Sequence, residues 1–233
     1  MDLVDPASHS PQIAIWDHPL DAPNLEDATI RHKLSRLANV PGLARFEAEY
    51  RKRFRHKTWQ YMTAVGDDCF VAFIIGTAGY AGNGFIYVVQ PSTGRVHSHF
   101  AITPLGKGVE LAPSSTAGTH RFASRHLQIE IENLNGGRRF LAKATGDTES
   151  GRVRFELAFE SGKRDQHLAL CVPLAGGRWN YTHKFGAFEV EGFVEVEGRR
   201  IELGGDRAFG TLDFTKSSVP NARSPPSSMR RPG

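Results

Sequence analysis

The chain has 233 residues, 39% of them hydrophobic and 23% charged, with 24 glycines and a net charge of +4, an ordinary globular composition with enough apolar material for one large β domain or two small ones. Three of those four net charges come from residues 217–233, which hold Arg223, Arg230 and Arg231 and no acid. The remaining body is close to neutral and does not require a phosphate-binding surface, so nucleic acid is not expected as a partner.

Residues 1–10 carry acids and a proline where a secretory signal needs a basic start and an apolar run, and no stretch approaches the ~18 apolar residues of a membrane span. A cytoplasmic location is the expectation. Residues 1–23 read as an irregular, proline-rich segment with one apolar anchor at Ile13-Ala14-Ile15-Trp16. The stretch from Leu25 to Arg53 is the one with a helical pattern, with Asn24 placed to cap it and Ala28, Leu34 and Leu37 as its apolar face, broken by Pro41-Gly42.

From Thr58 onward the pattern is strand and turn. Residues 59–65 and 69–75 flank Gly66-Asp67-Asp68, and residues 85–89 and 95–102 flank Pro91-Ser92-Thr93-Gly94; both read as hairpins. Leu127, Ile129 and Ile131 alternate with Gln128, Glu130 and Glu132, and Gly136-Gly137 turns the chain into residues 138–144. Val153, Phe155, Leu157 and Phe159 alternate with Arg152, Arg154 and Glu156; Phe188, Val190, Val194 and Val196 oppose Glu189, Glu191, Glu195 and Glu197, before Gly198 turns into residues 199–203. Strands at a spacing of about ten residues without intervening helices predict an all-β, antiparallel barrel or sandwich and exclude a parallel α/β fold. Residues 217–233, rich in serine, proline and arginine, read as a disordered tail.

Few constellations carry chemistry. Cys69 and Cys171 lie in apolar runs and read as buried, reduced thiols without a neighbouring base. His97 and His99 share one strand face, but with His120, His126 and His183 they match no metal-ligand spacing; surface histidines and no metal are expected. The glycines between Gly76 and Gly84 lack the lysine and the helix of a phosphate loop, so no nucleotide and no other cofactor is expected. The basic run Arg51-Lys52-Arg53-Phe54-Arg55-His56-Lys57 reads as a solvated approach to the first long strand. Trp179, Tyr181 and His183 alternate with Asn180, Thr182 and Lys184, giving a strand with polar groups on both faces. Asp213, between Leu212 and Phe214, reads as a partly buried carboxylate for which Lys184 is the expected partner.

Several of these segments resemble, in order, the bacterial family called domain of unknown function 2804. They are Asn24-Leu25-Glu26-Asp27, Phe54-Arg55-His56-Lys57-Thr58-Trp59-Gln60-Tyr61, Thr93-Gly94, Ile102-Thr103-Pro104-Leu105-Gly106-Lys107-Gly108, Tyr181-Thr182-His183-Lys184 and Gly210-Thr211-Leu212-Asp213-Phe214. The resemblance covers about residues 24–216 and implies a lipocalin-like β domain, similar to carotenoid hydratase-type barrels, around an apolar cavity. It implies no reaction. In relatives the Leu-Asp-aromatic motif runs on into a tryptophan-containing strand. Here Ser/Pro/Arg sequence follows, as a frameshifted or prematurely ended reading frame would leave it, and the barrel is expected to be incomplete at its C-terminus.

The expected function is binding of a small apolar or amphipathic ligand, with Trp59, Tyr61, Trp179, Tyr181 and Lys184 lining the cavity. The alternative is a cofactor-independent hydratase or isomerase with Asp213 or Asp206 as general acid and His183 or Tyr181 beside it. A third reading, an anionic-surface or nucleic-acid binder, would use residues 51–57 and the tail. No oligomeric state is indicated.

Overall fold

The apolar–polar alternation after Thr58 becomes one curled antiparallel sheet. The computed structural model describes residues 2–29, 54–162, 167–175 and 177–218. Among these, the strands are β1 (Ala14–Trp16), β2 (Lys57–Gly66), β3 (Cys69–Thr77), β4 (Ala81–Gln90), β5 (Arg95–Pro104), β6 (Val109–Glu110), β7 (Gly118–Ala123), β8 (Leu127–Leu134), β9 (Arg139–Thr148), β10 (Gly151–Ser161), β11 (His167–Leu174), β12 (Arg178–Val196), β13 (Arg199–Leu203) and β14 (Phe209–Ser217). Neighbours follow the order β5-β4-β3-β2-β14-β12-β10-β9-β8-β7-β6, with β1 on β11, and β11 and β13 both on β12. The expected hairpins at Gly66-Asp67-Asp68, at Pro91 to Gly94 and at Gly198 all form.

The two arms of this ribbon fold over each other and share one core. Phe73 on β3 packs against Phe155 and Phe159 on β10, with ring centroids 4.9 and 6.2 Å apart, while Phe140, Phe185 and Phe188 extend the aromatic cluster. Gly84 on β4 explains how the arms approach so closely: a Cβ there would lie 2.5 Å from the buried Phe122 ring of β7. Gly84→Val is therefore expected to overpack the core at a cost of about 1–3 kcal/mol, read as a fall in the urea midpoint at unchanged slope. Of the glycines between Gly76 and Gly84, Gly82 and Gly84 of β4 thus serve close packing of the two arms, and Gly79, at φ 79°, serves the turn.

The curl also corrects one expectation. His97 is buried rather than on the surface, its Nδ1 2.6 Å from Ser150 Oγ, and His99 Nδ1 bonds the Asp147 carbonyl, because the β9–β10 hairpin closes over the edge strand β5. Among the described residues no three His, Cys, Asp or Glu side chains gather as a metal-binding group, and no helix is long and apolar enough to cross a membrane. Cys69 and Cys171 are buried and unpaired with each other, and burial pushes both thiols up to about 12.

Both ends of the described residues join the body. Irregular as it is, the N-terminal segment contributes Leu3, Val4 and Leu20 to the core, and β1 adds an edge to β11 through Ala14↔Cys171 and Trp16↔Ala169. Leu25–Asp27 is a single 3₁₀ turn that Ala28 leaves in an extended conformation. Asn24 does not cap that turn: its Oδ1 accepts from the Val4 amide at 3.0 Å and its Nδ2 donates to Asp27 at 3.0 Å. The rest of the expected helical stretch, residues 30–53, lies outside the described residues, as do residues 219–233 of the expected tail. At the other end β14 runs to Ser217, and Ser218 is buried with its amide on the Trp179 carbonyl at 3.0 Å, so ordered structure continues two residues past Lys216.

Candidate ligand-binding cleft

Register decides which side chains can meet. β14 lies between β2 and β12, and residues directly opposite share a face: Thr58, Lys216 and Tyr181 form one row; Gln60, Phe214 and His183 the next but one; both face the core. The alternate rows, Trp59 with Thr215 and Thr182 between those two and Tyr61 with Asp213 and Lys184 just beyond, face outward.

The expected cavity set is therefore divided. Trp59, Tyr61 and Lys184 sit on the outer face and Trp179 and Tyr181 on the inner one, so the five do not share one wall of the sheet. The expected acid–base set is divided too. Asp213 pairs with Lys184 (Nζ–Oδ2 2.6 Å) and accepts from Thr215 at 2.8 Å and Thr182 at 3.2 Å, so both its oxygens are engaged, as a structural pair requires. Burial, with the Asp213 charge adding, pushes the Tyr61 phenol up. His183 lies on the opposite face from Asp213, and Asp206 stands exposed on the 3₁₀ turn Gly205–Arg207. Tyr181 is a core residue: its hydroxyl accepts the Leu20 amide at 3.0 Å and burial pushes it up to about 12.

What the fold does bring together on the inner side is a polar site under one end of the sheet. Glu26 from the 3₁₀ turn, His56 and Thr58 at the start of β2, Thr77 at the end of β3, the segment Leu111-Ala112-Pro113 and Lys216 of β14 line a cleft of about 280 Å³. The Lys216 side chain is only 7% exposed, and its Nζ lies 3.0 and 3.2 Å from the two carboxylate oxygens of Glu26, itself 47% exposed. Burial of a lysine on an inward strand face is tolerated because this carboxylate meets it at the rim. Of the seven residues expected to form the basic approach to β2, the last four are described: Phe54, Arg55, His56 and Lys57 are partly buried, and His56 turns into the cleft.

Next to the cleft on the same face, Gln60 and Asn133 exchange amide hydrogen bonds of 3.1 and 3.2 Å, and Asn133 Nδ2 lies 2.9 Å from His120 Nε2. Burial pushes the His120 imidazole down to about 4, the Lys216 charge adding to this and the Ser114 backbone offsetting part of it. Ser115 Oγ lies 2.8 Å from His183 Nδ1, and His183 Nε2 lies 2.7 Å from His167 Nδ1; burial, and then the neighbouring His167, push His183 down to about 3. Ser114, Ser115 and Thr116 are buried, so this segment closes the interior with hydroxyls.

Neither Lys216 nor Glu26 was expected as a site residue. The signal for Lys216 was nevertheless there: Leu212, Phe214 and Lys216 share one strand face, which puts a lysine where the alternation asks for a core residue.

The class is all-β: an antiparallel, curled half-barrel sheet with a lined cleft at one end. Residues 29–222 match the family described as a domain of unknown function (DUF2804), and the chain belongs to that family. Among solved structures it is similar to an AttH-like protein of Nitrosomonas europaea, 14% identical over 72% of this chain and 52% of that one, with a TM-score of 0.46. It is also similar to kievitone hydratase of Nectria haematococca, 10% identical over 72% of this chain and 48% of that one, with a TM-score of 0.40. The chain spans about half the length of these structures. No curated protein matches it.

Proposed function

We propose that this protein is a lipocalin-like binding module for a small amphipathic molecule, held in the Glu26–His56–Lys216 cleft. The observation that carries this reading is the buried Lys216 ammonium in the cleft wall, paired with a single carboxylate at the rim. An ammonium has three N–H groups, and one carboxylate with two oxygens leaves donor capacity for a ligand oxygen. Opposite it, Leu111, Ala112 and Pro113 offer apolar surface to a hydrocarbon body. At about 280 Å³ the cleft is at the lower limit of ordinary ligand pockets, which favours a ligand of fragment size over a long lipid.

The test is calorimetric titration with short-chain and aromatic monocarboxylates, with the matching alcohols and hydrocarbons alongside. Carboxylates are expected to bind and Lys216→Met to weaken them by at least about tenfold, the loss of one charge-assisted hydrogen bond. The variant is expected to stay folded, because the half-exposed Glu26 keeps its water and methionine matches the lysine stem in volume. Equal affinity for wild type and variant, or no binding by any member of the series, would refute the reading. The hydratase alternative has no comparable support, since Asp213, Asp206 and His183 do not converge.

A further inference from the structure

The outward rows of the first arm are unusual for a surface. Across β2, β3, β4 and β5, Tyr61, Ile74, Phe85 and Phe100 stand in one row, and Val65, Phe70, Val89 and Val96 in another, with Phe209 of β14 beside Val65. Phe100 is 60% exposed and Ile102, which ends a third row, is 64% exposed; Tyr87, Val96 and Phe209 are also exposed. Ring contacts within the face, Tyr61–Phe85 at 6.1 Å and Phe70–Tyr87 at 6.4 Å, make it continuous. From Trp59 to Val65 and across to Val96–Ile102 these outward positions hold no charged residue.

The second arm is the opposite. Its outward positions carry Arg121, Glu130, Lys143 and Glu156 in register, then Arg154 and Arg200, most of them in ion pairs such as Arg121–Glu130 at 2.7 Å and Lys143–Glu130 at 2.7 Å. The same sheet thus presents water with a charged face on one arm and an aromatic one on the other. Apolar patches of this extent mark interaction surfaces.

We infer that the outer face of β5-β4-β3-β2-β14 is a homodimer interface, occupied by the same face of a second copy. Charge complementarity selects this occupant from the surfaces the chain itself offers. Packing against the charged second arm would strip its ions of water with no opposing charge, whereas the aromatic face, when it meets itself, brings together mainly apolar and neutral side chains such as Tyr61, Phe85, Phe100, Thr63 and Ser98. The pairing is isologous and closes at two copies. Among the described residues the ion pair on this face, Lys184–Asp213, is internally neutralised and lies at the border, so a two-fold axis brings no uncompensated charge of theirs into contact. Five strands spaced ~4.8 Å and nine or ten residues long make a face of about 24 by 30 Å, roughly 700 Å². That is close to the ~800 Å² per partner of a stable interface.

Sedimentation equilibrium of the full chain at micromolar to tens of micromolar concentration tests this. Wild type is expected at twice the chain mass, and Phe100→Glu combined with Ile102→Lys is expected to raise the dimer dissociation constant by more than about thirtyfold, because it replaces two of the most exposed apolar side chains of the face with charges. Tyr87→Glu with Val96→Lys supplies an independent disruption should the first pair fail to fold. Glu191→Lys, on the charged arm, is expected to leave the mass unchanged. A wild type that sediments as a monomer throughout overturns the inference, as does a folded face variant that stays dimeric. A lipid or a different protein as occupant would give the first of these results.

Discussion

Lowering the pH from about 6.5 to about 4.5 is expected to cost this protein on the order of 5 kcal/mol of stability, enough to unfold an ordinary domain. The cause is the pair of buried imidazoles, His183 and His120, which burial pushes from their ordinary value of 6.5 down to about 3 and about 4. Each binds its proton more weakly folded than unfolded. Above about pH 6.5 both states hold the imidazoles neutral and nothing changes. Below it the unfolded chain takes up protons that the folded chain refuses, so stability falls as pH falls, by about 1.4 kcal/mol per pH unit for each histidine. The fall from this source ends only near the folded values.

The upper part of that window isolates the histidines. Carboxylates held low by partners, such as Glu130 bonded to Lys143 and Arg121, lose their contribution only nearer their own acidic range. Urea midpoints measured at intervals between pH 7.5 and pH 4.5 will read the slope. Substituting His183→Gln removes one titrating group and is expected to roughly halve it. Stability that does not change between pH 6.5 and pH 4.5 would mean that neither imidazole is kept neutral by the fold.

The second large effect is in the core. Phe73→Ala is expected to destabilise the protein by about 3–5 kcal/mol, through lost burial and the cavity left between the two arms. Phe73 is fully buried, and its ring touches Phe155 and Phe159 on a strand more than eighty positions away in sequence, so this one side chain joins both halves of the curl. Ile13→Ala, at an exposed position, serves as the control and is expected to stay within about 0.5 kcal/mol of wild type. Equal effects of the two substitutions would mean that the arms do not share a core.

Much of this architecture could be read from the amino acids. Alternation at Val153–Phe159 and Phe188–Val196, glycine turns at Gly66 and Gly198, and the absence of apolar stretches at helical spacing within the strand region all specify local backbone choices, and local choices depend on neighbours in sequence. The pairing of Asp213 with Lys184 was legible for the same kind of reason: a carboxylate between two core residues needs a partner, and a lysine on a nearby two-faced strand supplies one.

The site was not legible in this way. Period-two alternation says that Trp59 and Gln60 point to opposite faces, but it does not say which face is inside when both carry polar and aromatic residues. That was decided when β14 inserted between β2 and β12 and aligned Thr58, Lys216 and Tyr181 inward, leaving Trp59, Tyr61 and Lys184 outside. The cleft then drew Glu26, His56 and Lys216 from segments as much as 190 positions apart, through contacts that exist only after the sheet has curled. By itself the sequence determined an all-β chain and the positions of most of its strands, because strand and turn formation are local. Only the tertiary structure decided which residues meet, which histidines are kept from their protons and which face was left apolar, because these depend on long-range register and burial.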